Sequence, residues 1–194
     1  MKYWLVPSLF VMIAMGCSNS YSSDTPSTSS SNDTSTKTSN TRVNITLTDD
    51  YLMQCESELK NALTLINQLR IQDQTCGDTR YPAAKEVTWS NTLTLAASKH
   101  SNSMANKNFF SHTGLNGSNV GARVTTQGYP WRIVSENIAA GQISVQEAVN
   151  GWMLSEGHCR NIMNPNVTAM GLACYINSES DYKRYWTQIF AKPK

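Results

Sequence analysis

The sequence predicts an α+β domain, on three observations: helical periodicity over the first two thirds of the folded part, two aromatic-rich strand patterns at its end, and turn residues between them. Asp49 or Asp50 can cap a first helix running to about Arg70, in which Leu52, Cys55, Leu59, Leu63, Ile66 and Leu69 recur at three- and four-residue steps. A second helix is expected over residues 90–106, with Leu93, Ala96, Ala97 and Met104 on one face; Gly114 and Gly117 open the loop beyond it, so it ends close to His112. Ser144-Val145-Gln146-Glu147 has the form of a capping box and starts a helix carrying Ala148, Val149 and Trp152, which Gly157 is expected to interrupt just before His158. Residues 168–176 and 183–191 read as strands separated by Asn177-Ser178-Glu179-Ser180-Asp181, and should form an antiparallel hairpin.

Ahead of this domain, residues 1–17 read as an export signal. Lys2 supplies a minimal positive end, and the apolar stretch from Trp4 to Met15 is too short to span a bilayer. Ala14-Met15-Gly16-Cys17-Ser18 resembles a bacterial lipobox in its Gly-Cys step, but Ala14 and Met15 stand where Leu and a small residue are usual. Lipidation of Cys17 and plain cleavage with secretion are therefore the two alternatives. Ser18 rather than Asp after the cysteine points to the outer membrane of the cell envelope if the source is Gram-negative. Residues 18–45 are mostly Ser, Thr, Asn and Asp without apolar period, which is the composition of a disordered tether, and 46–194 remain for the folded domain.

A formal charge of +2 with 15% charged residues gives no basic footprint for nucleic acid. Five cysteines in an exported chain make an odd number. Assigning Cys17 to lipid leaves Cys55, Cys76, Cys159 and Cys174 for disulfides. Cys55 with Cys76 and Cys159 with Cys174 are the local pairings, each closing a short loop, and the other two connectivities remain open from sequence. A metal cluster of cysteines is disfavoured because no pair has Cys-x-x-Cys spacing.

The chemistry-bearing residues fall in blocks. Gly151-Trp152-Met153-Leu154-Ser155-Glu156-Gly157-His158-Cys159-Arg160-Asn161-Ile162-Met163-Asn164-Pro165 is the richest; the others are residues 96–101 around His100, 108–114 around His112, 135–141 around Glu136, and the final strand 185–191. In this order they resemble the CAP superfamily of cysteine-rich secretory, antigen 5 and pathogenesis-related proteins, over roughly residues 50 to 191. That resemblance implies a three-layer α-β-α sandwich of the SCP type, with a shared cleft into which His112, His158 and Glu136 fall.

Two imidazoles and a carboxylate have the ligand chemistry of a Zn²⁺ or other divalent site, or can run acid and base chemistry near neutral pH. No cofactor is required by the sequence. Many members add a second glutamate three residues after the tryptophan; here that place holds Ser155, and Glu156 comes one residue, about 100° of helix, later. Glu156 is thus the weakest candidate ligand, with a Ser155 hydroxyl as the alternative. His100 is expected to be packed and hydrogen-bonded. Trp152, Phe109, Phe110 and Trp186 read as core and cleft walls, Asn137, Asn161 and Asn164 as amides that pin loops, and Gln188 as a residue that can face the cleft.

As for activity, the chain has no Gly-x-Ser-x-Gly elbow and no His-Glu-x-x-His helix, and Ser111 beside His112 makes no dyad by adjacency alone. A metal-activated water with Glu136 as base, and His112 and His158 beside it, is the one hydrolytic scheme available. The favoured reading is a monomeric binding module, membrane-anchored through Cys17, engaging a lipid, a peptide, an envelope component or another protein. A structural envelope protein with an inert cleft is the third reading.

Overall fold

The structure, a computed structural model, describes Cys55, Leu59 and residues 61–194. The export signal, Cys17, the tether and the start of the first helix, with its proposed caps Asp49 and Asp50, lie outside the described residues. Helix α1 (Ala62–Arg70) is followed by a small hairpin, β1 (Gln74–Cys76) and β2 (Thr79–Tyr81), and by the two-residue strand β3 (Thr88–Trp89). Helices α2 (Asn91–Lys107) and α3 (Val120–Thr126) lead into β4 (Trp131–Ala140). Helices α4 (Val145–Leu154) and α5 (Glu156–Met163) precede the closing strands β5 (Ala169–Ile176) and β6 (Arg184–Pro193).

The main sheet has the order β3-β5-β6-β4. The C-terminal hairpin forms as the sequence predicts, with Cys174 opposite Trp186 and Tyr175 opposite Tyr185. β3 joins β5 in parallel. β4 pairs only with β6, antiparallel from Ile133 opposite Lys192 to Ala140 opposite Tyr185. Its other edge is therefore open.

Helices cover both faces of this sheet. On one side α2 buries Leu93, Ala96 and Ala97 against Ala169, Ala173 and Ile189, with α3 contributing Val124. On the other, α1, α4 and α5 bring Ile66, Ala148, Trp152 and Ile162 onto Leu172, Trp186 and Phe190. The α-β-α layering expected from the family resemblance follows from this division.

Small residues set the spacing between α2 and the sheet. A Cβ added at Gly171 of β5 would fall on the backbone of Leu93 and Thr94 in the first turn of α2. That turn is started by Ser90, whose hydroxyl accepts from the Leu93 N–H, and the helix ends at Asn108 in the left-handed conformation (φ 50°).

The opposite layer is tied by a cation. Arg70, at the end of α1, is fully buried, and its guanidinium donates to the carbonyls of Lys85, Ile162 and Asn164. Two of these carbonyls belong to the end of α5, where outward-pointing C=O groups favour a positive charge. Burial pushes the Arg70 pKa below its ordinary value.

Two sequence expectations are corrected here. The disulfides are Cys55–Cys174 and Cys76–Cys159, not the local pairs. Cys55 and Cys76 lie on opposite sides of α1 in the chain, while β5 and α5 bring Cys174 and Cys159 to within 6.0 and 5.5 Å (Cα to Cα) of their partners. The break before His158 falls at Ser155, which is extended (φ −100°, ψ 122°); Gly157 sits inside α5, so His158 is a helical residue.

Because the neighbours at Gly171 are backbone rather than flexible side chains, Gly171→Ala should destabilise by about 3 kcal/mol and lower Tm by roughly 6 to 10 °C. Thermal unfolding followed by circular dichroism checks this; an unchanged Tm would show that α2 does not sit this close to β5.

Candidate functional site

The open edge of β4 is where the candidate residues meet. In this strand Glu136 and Ile138 direct their carbonyls away from β6. The Glu136 carbonyl accepts from the Asn161 amide at 3.2 Å, and the Ile138 carbonyl from the Trp152 indole at 3.0 Å. Trp152 is thus buried both as core and as a donor that closes part of the sheet edge.

Asn161 lies one helical turn after His158 on α5. Its amide also donates to Asn137 Oδ1 at 2.8 Å, while Asn137 donates to the His158 carbonyl at 3.2 Å and to Gln188 Oε1 at 2.9 Å. Those side chains lock α5, and with it His158, against β4. The amides expected to pin loops do so. Asn164 belongs with them, since its side chain accepts from the Asn166 N–H. Gln188, expected as a possible cleft residue, is instead fully buried beneath Asn137.

His112 approaches from the other face of the sheet, on the loop after α2. Its Nδ1–H donates to Glu136 Oε1 at 2.8 Å, and its side chain is 55% exposed against 2% for the glutamate. His100 holds this loop in place: it is buried in α2, donates from Nε2 to the Ser111 carbonyl at 2.9 Å, and meets Phe109 edge-on. The packed role expected for His100 is the one it has. Phe110, by contrast, is exposed and touches Tyr182 rather than lining a core.

Arg123 of α3 is the residue that sequence reading missed. One guanidinium nitrogen donates to Glu136 Oε2 at 2.6 Å, and another donates to the carbonyls of His112 (3.0 Å) and Ser118 (2.8 Å). It therefore grips both the carboxylate and the backbone of the histidine that the carboxylate orients. No local motif announces it, because its partners lie on the loop before α3 and on the strand after it.

This geometry alters the expected ligand set. Glu136 gives one oxygen to His112 and the other to Arg123, and so orients the His112 imidazole. Glu156 is also displaced. It begins α5 with its carboxylate over the β1–β2 turn, where a Cβ at Gly77 would lie 2.9 Å from Glu156 Cγ. Among the described residues, no group of three or more His, Cys, Asp or Glu side chains comes together as a metal site. His112 and His158 remain as the open imidazoles. They are near enough for the His112 charge to lower the His158 pKa, although burial is the larger cause.

With Nδ1–H donated to Glu136, His112 keeps Nε2 for a further partner. The side chain of His112 is 55% exposed there, and His158 is half-buried. Concavities of about 660 Å³ beside the α3–β4 turn and about 390 Å³ between α2 and α3 lie elsewhere, and neither is lined by His112, His158 or Glu136.

A family model described as the cysteine-rich secretory protein family, CAP, matches residues 63–190, which include every residue of this site. The chain belongs to that family. Among CAP-related proteins, YkwD of Bacillus subtilis is 38% identical over 99 residues, covering 51% of this chain and 37% of YkwD. An extracellular protein containing an SCP domain from Bacillus anthracis superimposes with a TM-score of 0.50 at 28% identity, over 56% of this chain and 34% of that one. An outer surface protein of Borrelia burgdorferi shares the fold with a TM-score of 0.61 at 19% identity, over 72% of this chain and 95% of its own. The match to YkwD spans little more than a third of that relative's length.

Burial holds His100 and His158 below the ordinary imidazole pKa, so both stay neutral in the folded CAP domain while the unfolded chain takes up protons near about 6.5. Stability is then full above about pH 6.5 and is lost as pH falls from there toward the lowered folded values. Tm measured from pH 8 to pH 5 should be level at first and then drop. His100→Gln, which keeps a donor for the Ser111 carbonyl, should flatten the drop; an equal slope in that variant would remove His100 as a cause.

Proposed function

We propose that this CAP domain is an exported binding module of the bacterial cell envelope that engages its partner through the His112 and His158 site. The observation that carries this reading is the pairing of Glu136: one oxygen accepts from His112 and the other from Arg123, so the carboxylate positions the His112 imidazole beside His158. The exposed His112 side chain suits a group projecting from a larger partner, such as a peptide or an envelope component, better than an enclosed small substrate. Hydrolysis with Glu136 as base loses its support, because that base is already paired.

Export is supported by the two disulfides, which persist in oxidising compartments, and by the extracellular SCP-domain protein that the chain resembles. Attachment through a lipidated Cys17, with residues 18–45 as tether, is the form of envelope association that the sequence favours. Mass spectrometry of the mature protein should find a diacylglycerol thioether on Cys17. An unmodified Cys17 would leave the module secreted and free.

The imidazole pair also has the chemistry to hold a divalent ion such as Zn²⁺, with Glu136 as the outer partner of His112. A bound ion would supply a point of attachment for an anionic or imidazole-bearing group of the partner. Zn²⁺ at a hundredfold excess over its Kd should stabilise the fold by about 2.7 kcal/mol at pH 7.5, and much less at pH 5.5, where protonated imidazole does not ligate. His112→Ala and His158→Ala should each abolish the Tm rise. A rise that survives in both variants would place the ion elsewhere.

A further inference from the structure

The concavity of about 390 Å³ between α2 and α3 has a lining of one charge sign. Lys99, Ser103 and Lys107 follow one another at four-residue steps along α2, which places the two lysines about 12 Å apart along the helix axis. Asn116 of the loop after α2, Arg123 of α3 and Gln127 just after it form the facing wall, and among the described residues no aspartate or glutamate lines it. Lys99 Nζ is already turned inward, donating to Gln127 Oε1 at 2.8 Å.

A second observation lies in Arg123. Its two terminal nitrogens are occupied by Glu136, His112 and Ser118, yet its Nε–H is buried with no hydrogen-bond partner among the described residues. The guanidinium also lines the groove, where its charge adds to those of Lys99 and Lys107. Cations spread along a cleft, neutral donors between them and an unpaired guanidinium donor on the wall are together the chemistry that recognises tetrahedral oxyanions.

We propose that this groove is a binding site for an oligoanion, a molecule carrying two or more linked phosphate groups. The separation of Lys99 from Lys107 selects length: one orthophosphate reaches one lysine, whereas a linked chain engages both and still meets Arg123. The site is apart from the imidazole pair and does not rest on the function proposed for it. Because Arg123 is common to both, an anion beside it would be registered by the same guanidinium that holds Glu136.

Inorganic tripolyphosphate tests this, with binding followed by calorimetry and by the Arg123 Nε–H resonance in NMR at low and moderate salt. Tripolyphosphate should bind saturably at least tenfold more tightly than orthophosphate, weaken as salt rises, and shift the Arg123 Nε–H resonance. Lys99→Gln with Lys107→Gln should weaken it at least tenfold, while Lys85→Gln with Lys192→Gln, the same loss of charge away from the groove, should change it less than twofold. Absence of saturable binding at millimolar tripolyphosphate, or equal losses in the two double variants, would overturn the proposal, since the second result is that of diffuse attraction to a positive surface.

Discussion

A four-stranded sheet that ends in β4 leaves a row of backbone groups without a neighbouring strand, and the fold is organised around closing that row. The Trp152 indole and the Asn161 amide take the carbonyls of Ile138 and Glu136, so α4 and α5 are held to the sheet edge by donors as well as by packing. On the far side, the Glu136 side chain takes His112 and Arg123, which fixes the loop after α2 and the helix α3. The same short strand thus anchors pieces from both helical layers. Histidines that begin on different layers are brought toward that edge by Glu136 on one side and by the Asn137 bond to the His158 carbonyl on the other.

The cross-links strengthen one side of this arrangement. Cys76–Cys159 fastens α5 to β1 one residue from His158, and Cys55–Cys174 fastens the segment before α1 to β5. Spanning 119 and 83 residues, they remove far more freedom from the unfolded chain than the local pairs would, on the order of 4.7 kcal/mol for a loop of about 100 residues against about 3 for a short one. Arg70 adds a polar clamp at the other end of α5. Helix α5 is therefore held at its start by a disulfide, along its face by Asn161 and at its end by a guanidinium. Eight residues of helix need such restraints, because so short a segment is not stable by propensity alone.

What could be read in advance follows from the range of each interaction. The periodicity of α2, the Ser144 start of α4 and the alternation of β5 and β6 are local, and they appear where expected. Even so, the Ser144 cap differs in detail: Glu147 reaches back to the Ile143 N–H, one residue earlier than the usual box. Strand β4 gave little warning, since Arg132, Ser135, Glu136 and Asn137 interrupt any apolar alternation; its polar residues are there for the site and the edge. Disulfide connectivity and Arg123 were illegible for a different reason. The disulfides join segments 119 and 83 residues apart, Arg123 joins a loop to a strand 13 residues on, and nothing in the spacing of cysteines or arginines records which segments the sheet will bring together.

The role of Glu136 then decides how the site should be understood. A carboxylate that is 2% exposed and bonded on both oxygens has its desolvation offset by Arg123 and His112, and withdrawing it for proton transfer would strand a buried guanidinium. Its contribution is orientation: it directs Nδ1–H of His112 inward and leaves Nε2 for a further partner. His158, half-buried and held by its backbone, is kept neutral by burial and by the neighbouring imidazole. The His112 ring, aimed by Glu136, and the half-buried His158 beside it make a surface that accepts a polar or metal-bearing group. This anchoring favours recognition, and the helices that supply it are the ones the edge of β4 required in the first place.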